Sequence, residues 1–115
     1  MKVRRLVRIF AWVCLAAIFA LSLVAPSLRP VLMPHAIEHA AIFALAGLAV
    51  GLGYPNHAAR NMTILTIFSA AVELAQFYAP GRHPRVSDFL IDAVAACAGV
   101  ALAAILARPF PRTQR

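Results

Sequence analysis

Four apolar stretches, none interrupted by proline, set the terms on which this chain can fold. They run over about residues 9–25, 36–53, 62–79 and 89–107. All eight prolines, Pro26, Pro30, Pro34, Pro55, Pro80, Pro84, Pro109 and Pro111, lie outside them. Proline has no amide hydrogen and clashes with the preceding helical turn, so it punctuates helices. Each stretch has roughly the 17–25 residues that a membrane helix needs. The pattern predicts an all-α fold, an integral membrane four-helix bundle, built as a single domain over residues 1–115.

Composition agrees with that reading. The 115 residues are 63% hydrophobic and 13% charged, with a mean hydropathy of +0.81. Soluble domains average roughly 45–50% apolar and about 25% charged residues. The net charge of +7 does not point to nucleic acid. The basic residues flank apolar spans and form no stripe with interleaved aromatics. Membrane topology explains them better. Lys2, Arg4, Arg5, Arg8, Arg60, Arg108, Arg112 and Arg115 fall on one side, and Arg29, Arg82 and Arg85 on the other. The positive-inside rule then places both termini in the cytoplasm.

The first stretch resembles a signal peptide in its basic start and apolar middle. Its apolar run of 17 residues exceeds the roughly 7–15 of a signal h-region, and Ser22-Leu-Val-Ala-Pro26 is a poor cleavage site. We expect it to be kept as a membrane helix. Gly47-x-x-x-Gly51 in the second stretch and Ala95-x-x-x-Gly99-x-x-x-Ala103 in the fourth predict close helix packing, within one chain or between chains. Cys14 and Cys97 each sit mid-span and read as packing residues. Asn61-Met-Thr63 matches a glycosylation sequon but falls on the cytoplasmic side.

The acidic residues are few and clustered. Glu38, Glu73, Asp88 and Asp92 all fall in the outward half of the predicted bundle, as do His35, His39, Gln76 and Arg82. Ionisable groups at membrane depth are costly, so they mark functional sites by default. Glu73 and Gln76 are three apart and share a helical face, and Asp88 and Asp92 are four apart and share another. The tight Pro80-Gly81 turn predicts that the third and fourth helices lie side by side. Arg82 would then fold over both faces as a fork for carboxylate or phosphate. The alternative for Asp88 is simple capping of the fourth helix, next to Ser87. The alternative for Glu73 is a structural pairing with Arg82 or His39. Arg29, His57, His83 and Arg85 read as solvated loop residues.

Other chemistries have thinner support. His35-Ala-Ile-Glu38-His39 matches the H-x-x-E-H zinc-protease motif, with Glu73 as a conceivable third ligand. Five residues carry little specificity, and neither a metal nor a cofactor is expected. The chain has no G-x-S-x-G, P-loop or dinucleotide glycine pattern. Ser87 near His83 and Asp88 does not make a triad, because sequence neighbours lack the geometry. A four-helix chain of this length also suggests a small multidrug exporter. Those couple protons through an acid in the first helix, where this chain has none.

The polar pattern as a whole resembles the VanZ-like family of small bacterial membrane proteins. Glu38-His39-x-x-x-Phe43-x-x-x-Gly47 carries the resemblance, with Glu73-x-x-Gln76, Pro80-Gly81-Arg82, Ser87-Asp88, Asp92 and Gly99. These positions cover about residues 34–103. The family usually has Asn where Asp92 stands, and an Asp-Lys pair before the histidine where this chain has His35-Ala36. The resemblance implies a multi-pass protein of the bacterial inner membrane. The family takes its name from a teicoplanin-resistance protein, which implies a link to glycopeptide resistance for some members only.

Three functions follow as expectations. The first is binding of a cell-envelope lipid headgroup or cell-wall precursor by a pocket of His39, Glu73, Gln76, Arg82, Asp88 and Asp92. The second is an intramembrane enzyme acting on a lipid-linked substrate, with His39 and Glu73 as acid and base. The third is a structural subunit that packs against a membrane-protein partner. Membrane lipids are the expected surroundings in each case, and no nucleic acid is expected.

Overall fold

The computed structural model describes residues 2–23, 35–78 and 86–107. Among them the chain forms helices and no strands. Helix α1 spans Lys2–Leu23, α2 His35–Gly53, α3 Ala58–Ala75 and α4 Val86–Ala107, and a 3-10 turn over Gln76–Tyr78 extends α3. The expected all-helical, four-helix architecture is present. Helices α1, α3 and α4 begin several residues before their apolar stretches, because residues 2–8, 58–61 and 86–88, which mix charged or polar with apolar side chains, are already helical.

The end of α3 has a local cause. Pro80 cannot continue a helix and disfavours helical backbone at the residue before it. The chain tightens into 3-10 geometry instead, which satisfies carbonyls that an α-helix end leaves open. The Gln76 amide donates back to the Val72 carbonyl.

Small side chains dominate the interior. Ala46, Ala96 and Ala103 are fully buried, and Ala11, Ala49 and Ala93 nearly so. Phe43, Leu65, Val72 and Val100 are the largest apolar groups that are almost completely enclosed. Large apolar side chains face outward on every helix: Trp12 and Val13 on α1, Ile37 and Leu45 on α2, Ile64 and Ile67 on α3, Val94 and Ile105 on α4. Val94 is 67% exposed while Ala96, two residues on, is 0% exposed. Soluble monomers rarely expose apolar surface so continuously. Small residues inside and large apolar residues outside suit helices solvated by lipid.

By length and composition, Lys2–Leu23 and Val86–Ala107 are each able to cross a membrane, and Ile37–Gly53 is a shorter apolar helix. Helix α3 is more polar than its apolar stretch suggested, because it carries Arg60 near its start and Glu73 in its last turn. At 18 residues it is still about 27 Å long, close to the roughly 30 Å hydrocarbon core of a bilayer.

Helices α2 and α4 make the most extensive contact, and glycine is the reason. A Cβ at Gly47 would collide with the Ala96 carbonyl oxygen, and one at Gly99 with the Ala44 carbonyl oxygen. A Cβ at Gly51 would lie 2.5 Å from that of Ala103. The two small-residue stripes therefore face each other within one chain. Helix α1 packs on α2, and α3 on α4. Ala11 and Ile18 place α1 in the common core, so it is an integral member of the bundle.

Candidate functional site

The alternating course of the helices brings the end of α1, the start of α2, the end of α3 and the start of α4 to one end of the bundle. Buried polar residues collect there. Ser22, Glu38, His39, Glu73, Gln76 and Asp92 are each at least nine-tenths buried. They come from all four helices.

At the centre is a pair that links α2 to α4. His39 Nδ1 lies 3.3 Å from Asp92 Oδ2. Asp92 is six residues into α4, about 9 Å from its start, and only 1% exposed. Its Oδ1 is buried with no hydrogen-bond partner. A buried carboxylate oxygen without a donor is expensive, and it calls for an explanation in the form of a ligand, ion or water. The His39 ring also rests on Phe43, with centroids 6.2 Å apart, and Phe43 in turn meets Phe68 of α3 at 6.1 Å. These contacts limit the freedom of the imidazole.

Gln76 links two helices at this end. Its Nε2 donates to the Ser22 carbonyl at 3.2 Å. This bond ties the 3-10 turn to the last turn of α1 and satisfies a carbonyl that the helix end leaves open. Glu73 lies in the last turn of α3, nearer the helix end than a helix continuing to residue 79 would place it. Glu38, His39, Glu73 and Asp88 each take part in a further interaction. Asp88 is half-buried in the first turn of α4, where a negative charge complements the helix dipole. Arg82, Arg29, His83 and Arg85 lie outside the described residues. The structure therefore brings His39 and Asp92 together, buries Glu73 and Gln76 at the same end, and sets Asp88 at the helix entrance.

Several other candidates are accounted for. Among the described residues no three of His, Cys, Asp and Glu converge as metal ligands. Ser87 is exposed. The Ser69 hydroxyl is occupied by the Leu65 carbonyl at 2.9 Å, a common use of a hydroxyl within a helix. Cys97 is half-buried, with Sγ 3.8 Å from Thr66 Oγ1, and Cys14 is half-buried on α1.

Residues 4–107 match the family model described as VanZ/LLP1. The chain belongs to the VanZ/LLP1 family. The match covers nearly all of the described helices. No curated protein and no solved structure matches it.

The opposite end of this VanZ/LLP1 protein holds a second polar cluster that sequence reasoning missed. Arg8 Nε donates to the Gly53 carbonyl at 2.6 Å, and its guanidinium stands 4.5 Å above the Tyr54 ring. Trp12 Nε1 donates to the Tyr54 hydroxyl at 3.0 Å. Asn61 Nδ2 donates to the Tyr54 carbonyl at 3.0 Å, and Arg60 donates to Asn61 Oδ1 at 3.3 Å. The available signal was Tyr54-Pro55-Asn56, a turn sequence between two helices, flanked by cations and one buried-helix asparagine. These groups answer one another, and the cluster reads as a clamp on the α2–α3 turn.

Proposed function

We propose that this VanZ/LLP1 protein is a multi-pass protein of the bacterial inner membrane that binds a cell-envelope lipid headgroup or cell-wall precursor. Its polar end faces outward, and both termini lie in the cytoplasm. The observation that carries the reading is Asp92 Oδ1, buried without a donor beside the His39–Asp92 pair. A ligand hydroxyl or amine supplies the missing donor. The buried layer of Glu38, His39, Glu73, Gln76 and Asp92 is chemically suited to orient such a group. Arg82 and Asp88 complete the site at the membrane surface, with Arg82 holding a phosphate or carboxylate.

Sidedness rests on the basic residues. Lys2, Arg4, Arg5, Arg8 and Arg60 cluster toward the end opposite the polar layer, as the positive-inside rule requires of the cytoplasmic side. The test is native mass spectrometry of protein extracted in mild detergent, wild type beside the double variant Arg82→Ala/Glu73→Gln. A lipid or precursor retained by the wild type and lost from the variant supports the reading. Identical lipid profiles for the two proteins refute it.

The His39–Asp92 distance favours one further reading, an intramembrane enzyme acting on a lipid-linked substrate. A carboxylate at Nδ1 orients an imidazole and stabilises its protonated form, leaving Nε2 as general base or acid. Asp92, 3.3 Å from the His39 ring, adds to the Glu73 counterpart expected from the sequence. Turnover of a lipid-linked substrate by purified protein, abolished by His39→Ala, distinguishes an enzyme from a binding protein.

A further inference from the structure

A cavity of about 280 Å³ opens between α1 and α2. Phe10, Ala17 and Ile18 line it on α1, and Ile42 and Phe43 on α2. Its polar lining comes from one end, where Ser22 and His39 meet it. From Phe10 to Leu21 the α1 wall runs about 16 Å, at about 1.5 Å per residue. One leaflet of a bilayer presents roughly half of a hydrocarbon core about 30 Å thick. The cavity is thus as long as one leaflet is deep, apolar along its length and polar at the layer that holds Asp92.

We infer that this crevice seats one hydrocarbon chain of a single membrane lipid, with the head of that lipid at the His39–Asp92 pair. The inference rests on the headgroup reading above and adds the part of the ligand that reading leaves open. His39 joins the two halves, because its ring lines the crevice while its Nδ1 meets Asp92. The gradient from apolar wall to polar end matches an amphiphile lying parallel to the helices. The half-exposed Leu45 stands at the rim, so the chain enters sideways from the bilayer.

The test places the full-length protein in nanodiscs that contain phosphatidylglycerol with a diazirine midway along one acyl chain. Cross-linked residues are then mapped by mass spectrometry. We expect adducts concentrated at the crevice walls over 10–21 and 42–45. They should be lost in Ala17→Trp, which fills the crevice, and in Leu45→Trp, which closes its exposed rim without burdening the core. Adducts spread equally over Val94, Leu102 and Ile105 of α4, or undiminished in Leu45→Trp, overturn the proposal. So do cross-links from the crevice to a second copy of the chain. His39→Ala separates the two readings. Crevice labelling that persists in His39→Ala, with no headgroup preference in the wild type, leaves the chain seat standing and sinks the headgroup reading.

Discussion

The two ends of the bundle treat their polar groups in opposite ways. At the turn between α2 and α3, donors of the cluster meet acceptors across helices: Arg8 the Gly53 carbonyl, Trp12 the Tyr54 hydroxyl, Asn61 the Tyr54 carbonyl. At the other end, carboxylates are buried in the bundle and Asp92 Oδ1 has no donor. Buried, satisfied polar groups hold a structure together, whereas a buried acceptor kept unsatisfied costs stability. Natural proteins accept that cost chiefly where function needs it. The two ends therefore differ in kind: one answers its polar groups internally, and the other keeps a buried acceptor unanswered, the feature on which the proposed headgroup site rests.

The seam that carries both ends gives the largest expected effect. Gly99→Leu drives a side chain into the Ala44 carbonyl and the backbone of Gly47 and Leu48. Overpacking usually costs about 1–3 kcal/mol, and here backbone on a facing helix must move, so the cost lies at or above the top of that range. We expect loss of cooperative thermal unfolding by circular dichroism in detergent. A variant that unfolds like the wild type would show that α2 and α4 do not meet at this seam.

A crossed pair of substitutions then tests the comparison itself. Asp92→Asn replaces a buried carboxyl with an amide of the same shape. We expect unchanged or raised melting temperature with loss of the lipid that the proposed site retains, because a buried polar pair adds little net stability once its desolvation is counted. Arg8→Ala removes a charge-assisted hydrogen bond and a cation–π contact, worth about 1–2 kcal/mol at a partly exposed site. It should lower the melting temperature and leave the lipid bound. The reverse pattern, with Asp92→Asn unstable and Arg8→Ala unable to bind, would exchange the roles of the two ends.

Much of this was legible before the structure. The helices follow from apolar stretches bounded by prolines, and the polar layer from the heights of its residues along alternating helices. The short Pro-Gly turn rightly set α3 beside α4, but it carried no hint of the His39–Asp92 pair. The small-residue stripes held that signal. Helices α2 and α4 run in the same direction, and Gly47 and Gly51 face the Ala96 to Ala103 region. That register, extended two turns back, brings His39 to Asp92. The clamp at Tyr54 was harder to read, because two of its acceptors, the Gly53 and Tyr54 carbonyls, are backbone groups that carry no side-chain signature.

Asn61 offers a finer measure of the stable end. It is 2% exposed, and its side chain both donates to the Tyr54 carbonyl and accepts from Arg60. Asn61→Ala leaves that carbonyl without its side-chain donor. We expect a loss of about 1–2 kcal/mol in chemical unfolding, with lipid retention unchanged. Asn61→Asp, which keeps the acceptor for Arg60 but not the donor, should recover only part of that loss.

The smallest effect sits in the turn that presents Tyr54 to its partners. Asn56 has φ 70°, a left-handed conformation that Asn and Gly tolerate and a Cβ-branched residue does not. Pro55 before it fixes φ near −65°, so the Pro-Asn pair fits the second and third positions of a type II turn. Asn56→Gly should therefore be nearly neutral, within about 0.5 kcal/mol, since glycine adopts this conformation at no steric cost. Asn56→Ala should cost about 1 kcal/mol, and Asn56→Val more. The same ranking must appear in the strength of the clamp, because the turn positions the carbonyl that Asn61 holds. If Arg8→Ala and Asn56→Val combined destabilise by less than the sum of the two alone, turn and clamp act as one unit. Strict additivity would show that the cation above Tyr54 stabilises α1 against α2 independently of the turn, and the stable end would then be two devices instead of one.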